Sequence, residues 1–176
     1  AVIVRIFFTA LPELDSAWMP ILFGASVLTM LVGNIAAIFQ DDLKRMLAYS
    51  GIAHAGYLLI GIVANTQEGM ASILFYLAVY LFMNIGAFAV VFIMEGEGKE
   101  GNSIYRFKGL AKKNPLLAAA MSLFMVSLAG FPPTAGFFGK LFVAPVRHWL
   151  KNINYSCFHT LLNIGPTFKI FFHQIF

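Results

Sequence analysis

The sequence predicts an all-α fold: a polytopic bundle of transmembrane helices, one of them broken by a Pro-Pro pair. Three observations carry this. Hydrophobic residues make up 60% of the chain and charged residues 11%, against about 25% charged in an ordinary soluble domain, so there is too little polar surface to cover a fold in water. Uncharged runs at 21–39, 46–64 and 70–94 have close to the ~20 residues that a membrane-crossing helix needs. A fourth apolar run, 116–143, is interrupted by Phe131-Pro132-Pro133-Thr134-Ala135-Gly136-Phe137-Phe138-Gly139-Lys140. Two prolines remove two backbone donors and stop a helix, and Lys140 then stands at a depth where a lone ammonium is costly. A broken helix beside an intramembrane ionisable group is the pattern of membrane ion sites, which makes Lys140 the first candidate for a proton-relay group.

Each element follows from its residues. Residues 1–10 are apolar but too short to span, and they read as the second half of a membrane helix. No basic flank precedes the apolar run, so it does not read as a signal peptide, and the chain is expected to be a fragment of a longer protein. Residues 11–19, with Pro12, Glu13, Asp15 and Trp18, read as a short polar loop carrying an interfacial aromatic, and Pro20 suits the first turn of the next helix. The 21–39 span carries Gly24, Ser26, Thr29, Gly33 and Asn34. Small residues let helices approach closely, and Asn34 reads as a hydrogen bond across a helix interface before it reads as a transport group. Gln40, Asp41, Asp42, Lys44 and Arg45 form a charge cluster read as a solvated turn.

The 46–64 span holds Tyr49, Ser50, His54 and Tyr57. His54 lies near its middle, where ring nitrogens need partners, so it is either a proton-exchanging group or a structural hydrogen-bonder. In the 70–94 span, Tyr76, Tyr80 and Asn84 recur at i, i+4, i+8 and share one helix face. That stripe reads either as the lining of a hydrated path or as an interhelical hydrogen-bond seam. Residues 95–114 form the one long polar stretch, with 105–110 read as a short amphipathic piece on the membrane surface. Pro115 opens the broken span, 116–129 before the break and 134–143 after it.

The loops alternate in charge. Lys44 and Arg45 lie in 40–45, and Lys99, Arg106, Lys108, Lys112 and Lys113 in 95–114, while 11–19 and 65–69 carry no Lys or Arg. By the positive-inside rule the two basic loops face the cytoplasm, matrix or stroma. Residues 144–176 break this pattern, because Arg147, Lys151 and Lys169 fall on the side that should be poor in cations. One cysteine, Cys157, excludes an internal disulfide and a self-contained iron–sulfur or zinc site. His148, His159 and His173 have no metal-ligand spacing. The net charge of +4 sits beside the spans and not in one tract, so it argues for loop topology and against nucleic-acid binding.

Two stretches carry a family likeness. Gly33-Asn34-Ile35-Ala36-Ala37-Ile38-Phe39-Gln40-Asp41-Asp42-Leu43-Lys44-Arg45-Met46-Leu47-Ala48-Tyr49-Ser50-Gly51-Ile52-Ala53-His54-Ala55-Gly56-Tyr57 resembles the central signature of the antiporter-like membrane subunits of respiratory complex I, the NADH–quinone oxidoreductase. Leu128 to Lys140 resembles that family's discontinuous late helix and its lysine. The likeness covers about residues 1–143. Larger members resemble His-xxx-His-xxx-Lys where this chain has Tyr76, Tyr80 and Asn84, and the run from Tyr76 to Phe88 is similar to the N-type branch, the counterpart of mitochondrial subunit 2.

The resemblance implies proton translocation driven by electron transfer from NADH to quinone, with the redox chemistry in other subunits and no cofactor in this chain. It implies a relay in which Lys140 loads and releases a proton, His54 lies on the route, and Lys44 stands near the inner mouth, paired with Asp41 or Asp42. Tyr76, Tyr80 and Asn84 would supply neutral hydrogen bonding along the path. The implied partners are the other membrane subunits of complex I, the lipid bilayer and protons. The implied location is a bacterial inner membrane, with an organelle inner or thylakoid membrane as the alternative. The family's earlier half, with a glutamate–lysine pair, is not in this sequence. Residues 144–176 do not resemble the family's continuation and are read as a divergent tail, non-native or frameshifted. The competing readings are a subunit of a sodium–proton antiporter or membrane-bound hydrogenase, and a structural membrane anchor.

Overall fold

The computed structural model describes residues 14–63, 67–95 and 103–143, with residues 2, 6 and 7 before them. The expected partial span at 1–10 lies almost wholly outside the described residues, and the tail at 144–176 lies wholly outside them. Three long helices, α1 (Asp15–Ile38), α2 (Leu43–Val63) and α3 (Gln67–Glu95), are followed by a 3-10 turn (Ile104–Phe107) and a short α4 (Leu110–Lys113). The two halves of the broken span are α5 (Pro115–Ala129) and α6 (Ala135–Val143).

Helices α1, α2 and α3 are each long and apolar enough to cross a membrane. At about 1.5 Å per residue, the 29 residues of α3 are long enough to cross a bilayer core with some tilt. α1 begins at Asp15, six residues before the expected 21, and Pro20 lies inside it and not in its first turn. Position 20 is early enough that the missing N–H leaves only the Ser16 carbonyl without its usual partner. Trp18, expected in a loop, is therefore helical and 7% exposed, its ring tilted against that of Phe7 with centroids 4.9 Å apart.

α1 and α2 form a tight antiparallel hairpin. A Cβ on Gly33 would stand 2.7 Å from Ala53 N and 2.9 Å from Tyr49 O, so only glycine allows this approach. Ser26 is fully buried in the same hairpin. Asn34 is also fully buried, yet its side chain makes no hydrogen bond among the described residues. The bond expected from it across the helix interface is not formed among the described residues.

The largest apolar cluster sits at the basic-loop end of the bundle. Ile104, Phe107 and Leu110 are 1–2% exposed and close that end, while Tyr105 is 61% exposed. This corrects the expected surface-lying helix at 105–110: the apolar residues recur every three positions, the period of a 3-10 turn, and that face caps the helix ends. The Ile104 N–H donates to the Asp41 carbonyl at 2.9 Å, and Asp42 pairs with Ser103. These contacts pin the segment across the α1–α2 turn. Outward faces are apolar as well: Ile21, Leu28, Phe82, Phe92 and Leu116 are 63–82% exposed. That is the surface of a helix bundle set among lipid or further helices, not water.

Candidate functional site

The site is built around the break between α5 and α6. A continuing helix would bring the N–H groups of residues 132 and 133 to the carbonyls of Leu128 and Ala129. Both positions are proline, so neither donor exists. The helix instead ends at Gly130, whose φ of +82° is the left-handed conformation glycine adopts without strain. The Gly130 N–H donates to Val126 O and Ser127 O, and Phe131 N–H to Val126 O. Thr134 restarts the chain, its hydroxyl donating to Phe131 O at 2.6 Å. The Pro132–Pro133 bond is cis.

α6 then packs back beside α5. The Gly136 N–H donates to Ser127 Oγ at 3.2 Å, and the Ser127 hydroxyl donates to Met83 Sδ on α3 at 2.7 Å. Lys140, one turn further, turns its side chain toward the break. Its Nζ donates to Leu128 O and Ala129 O, both at 2.9 Å. The lysine thus caps the same two carbonyls that the prolines leave without donors. Those carbonyls are the negative end of the α5 dipole, where a cation is favoured.

The ammonium also lies 5.0 Å from the centroid of the Tyr57 ring, within cation–π range. Tyr57 leads into the second half of the site. The Nδ1 of His54 is 2.5 Å from the Tyr76 hydroxyl, and both side chains are buried. The His54 ring has Tyr80 at 4.9 Å, Tyr57 at 6.0 Å and Tyr76 at 6.1 Å between centroids. The Tyr80 hydroxyl lies against the α2 backbone, 3.1 Å from where a Cβ on Gly51 would stand. Helices α2, α3 and α6 therefore deliver one cluster of a lysine, a histidine and three tyrosines, and α5 supplies the carbonyls that hold the lysine.

Of the sequence-predicted residues, Lys140, His54, Tyr76 and Tyr80 are brought together. Asn84 is half-buried one turn beyond Tyr80 on the same face of α3. Lys44 is not part of the cluster. It stands at the start of α2 and donates to Glu95 Oε1 at the end of α3, the two side chains 38% and 33% exposed. Pairing with Asp41 or Asp42 was expected. Asp42 instead accepts the Arg45 backbone N–H at 3.0 Å and so caps the start of α2. Tyr57 was the residue sequence reasoning passed over. Its signal was its place three residues after His54, on the same helix face.

The family model described as "NADH:quinone oxidoreductase/Mrp antiporter, TM" matches residues 1–160. The chain belongs to this family. The match runs past residue 143 into the stretch set apart above as a divergent tail. Among curated relatives, "NADH-quinone oxidoreductase subunit N 1" of Solibacter usitatus is 48% identical over 143 residues, covering 81% of this chain and 29% of the relative. "NADH-quinone oxidoreductase subunit N" of Desulfovibrio desulfuricans is 52% identical over 149 residues, covering 80% of this chain and 30% of the relative. The chain thus spans less than a third of the length of these relatives. A chain of the respiratory complex I from Thermus thermophilus with bound NADH superposes with a TM-score of 0.80 at 27% identity, over 97% of this chain and 38% of that one. The helical fold of the described residues matches that of this complex I chain.

Proposed function

We propose that this chain is the part of a membrane subunit that carries a proton-loading lysine of an NADH–quinone oxidoreductase. The observation that carries this reading is Lys140 itself: a cation held inside the bundle by two carbonyls freed by Pro132 and Pro133, beside a hydrogen-bonded His54–Tyr76 pair. All its observed partners are neutral. Protonated, Lys140 is stabilised by dipoles and a ring face; deprotonated, it leaves no bare counter-ion behind in a low-dielectric site. Such a group can be filled and emptied. His54 can both accept and donate a proton, and its ring lies beside Tyr57, the ring that the Lys140 ammonium faces. Tyr76, Tyr80 and Asn84 line the approach along α3 with hydrogen-bonding groups that hold no net charge.

In this reading electrons never enter the chain. NADH oxidation and quinone reduction take place in other subunits, and their effect reaches Lys140 as a change of charge or packing along the membrane. The partners are those subunits, the bilayer and the protons moved; the named curated relatives are bacterial, which favours a bacterial inner membrane. Lys44 and Glu95 mark the basic-loop mouth.

The test is Lys140→Ala in the full-length subunit within the assembled complex, with proton uptake by inverted membrane vesicles followed during NADH oxidation. Pumping should fall by roughly 10²-fold or more, the scale of a lost proton-transfer group, with assembly preserved. Unchanged pumping would leave the chain a structural anchor and overturn the proposal.

A further inference from the structure

Asn34 is a buried polar group that the route above does not use. Its side chain is fully buried on α1, and neither Oδ1 nor Nδ2 has a hydrogen-bond partner among the described residues. A carboxamide offers two donors and two acceptor sites. Buried groups of this kind are nearly always paired, and ordered water is a common partner where protein supplies none.

The packing fixes where this amide stands. Gly33 presses on α2 at Tyr49 and Ala53, and Gly56 presses on α1 at Ser26, Thr29 and Met30, so α1 and α2 are antiparallel. Gly51 meets Tyr80 and Gly61 meets Ile73, so α2 and α3 are antiparallel too. Hence α1 and α3 run parallel. Met30 of α1 shares a buried cluster with Tyr57 and Tyr76. One turn further along both parallel helices come Asn34 and Tyr80. The residue before Asn34 touches α2 at Tyr49 and Ala53, and the Tyr80 hydroxyl touches it at Gly51. The orphaned amide therefore stands at the level of the His54–Tyr80 ring contact, on the α1 side.

We propose that Asn34 binds a water molecule that links α1 to the His54–Tyr80 cluster, making Asn34 a positioning residue for proton transfer through His54. The inference rests on the proton-route reading of the previous subsection. A direct bond would have left one amide atom paired already. A water can use both ends of the carboxamide and still turn toward the imidazole.

Two measurements test it on the full-length subunit in the assembled complex. The first is a structure resolving ordered solvent. The expected result is a water within about 2.7–3.2 Å of Asn34 Oδ1 or Nδ2 that also contacts the His54–Tyr80 cluster. A dry amide, or one bonded directly to protein at both ends, overturns the proposal. The second compares Asn34→Leu, which fills similar space without hydrogen bonds, with Asn34→Ser, which is smaller but still holds water. Proton pumping should fall about tenfold in the leucine variant, less than for a group that itself transfers the proton, and the serine variant should retain most of it. Equal losses in both, or none in either, overturn the proposal. Lys140→Ala run alongside separates the two readings: normal pumping there removes the route itself, whereas its loss with a normal leucine variant removes only the role of Asn34. Should the leucine variant fail to assemble, the solvent structure decides.

Discussion

Two lysines of this chain make opposite use of the same side chain. Lys140 ends in the middle of the bundle on two carbonyls and beside a tyrosine ring. Lys44 ends at the basic-loop surface on the carboxylate of Glu95. The carbonyls exist as free acceptors because of two prolines; the carboxylate is there because α2 starts and α3 ends on the same side of the bundle. An ion pair between two partly exposed groups joins two helices by opposite charge, and removing either partner leaves the other in reach of water. A lysine capped by dipoles holds its charge with no counter-ion. On the proton-route reading proposed above, the two positions do different work: Lys140 lies on the route, and Lys44 ties α2 to α3 at its mouth.

The largest effect that would sharpen this comparison is expected from Lys140→Arg. A guanidinium keeps the cation and can still donate to the two carbonyls, but it is never deprotonated in a protein. If Lys140 serves as a cap, the arginine variant should assemble and pump normally. If it must release its proton, pumping in inverted vesicles should fall by roughly 10²-fold, as for alanine, while the complex assembles better than the alanine variant does. Near-normal pumping by the arginine variant would erase the distinction between the two lysines.

How much of this was legible in the sequence follows from the kind of signal each residue sends. The spans and the break could be read because hydropathy and proline act locally: α2 and α3 fall on the stretches expected for them, and the break falls at Pro132 and Pro133. Even the capping role of Lys140 was partly written there, since prolines at 132 and 133 imply unpaired carbonyls at 128 and 129. His54 stood out as a polar group inside an apolar run. Glu95 did not, because its partner lies 51 residues away; only the topology, which puts residues 40–45 and 95–114 on one side, could have joined them. Asn34 misled for another reason. A polar residue among small ones promises an interhelical bond, but the Gly33 contact sets the helix spacing, and the amide has no hydrogen-bond partner among the described residues.

A smaller effect is expected from Tyr76→Phe. The ring is fully buried between α2 and α6 and its packing is kept, so only the hydroxyl that meets His54 Nδ1 is lost. The loss leaves a buried imidazole nitrogen unpaired, which costs about 1–3 kcal/mol if nothing replaces it. Pumping should fall about tenfold, and the thermal stability of the assembled complex should drop measurably. A variant that loses stability but pumps at the normal rate would make His54–Tyr76 a structural bond and move the boundary of the site back to Lys140 alone.

The smallest effect should come from the basic-loop end. Exposed ion pairs contribute about 0.2–1 kcal/mol, so Glu95→Gln should slow pumping no more than about fivefold. The effect should shrink as salt rises, because charges at this depth are screened over about 8 Å at physiological ionic strength. The swap Lys44→Glu with Glu95→Lys is the stronger probe, since it restores opposite charges across the same gap. If Lys44 only fixes α2 to α3, the swap should recover most of the activity that either single variant loses. If a cation is needed on α2 itself to attract or repel protons at the mouth, the swap should stay as slow as Lys44→Glu alone. Recovery keeps the contrast between a lysine that ties two helices together and one that lies on the proposed proton route. A swap that stays slow would make Lys44 part of the path, and the two lysines would then differ in position along one route and not in the work they do.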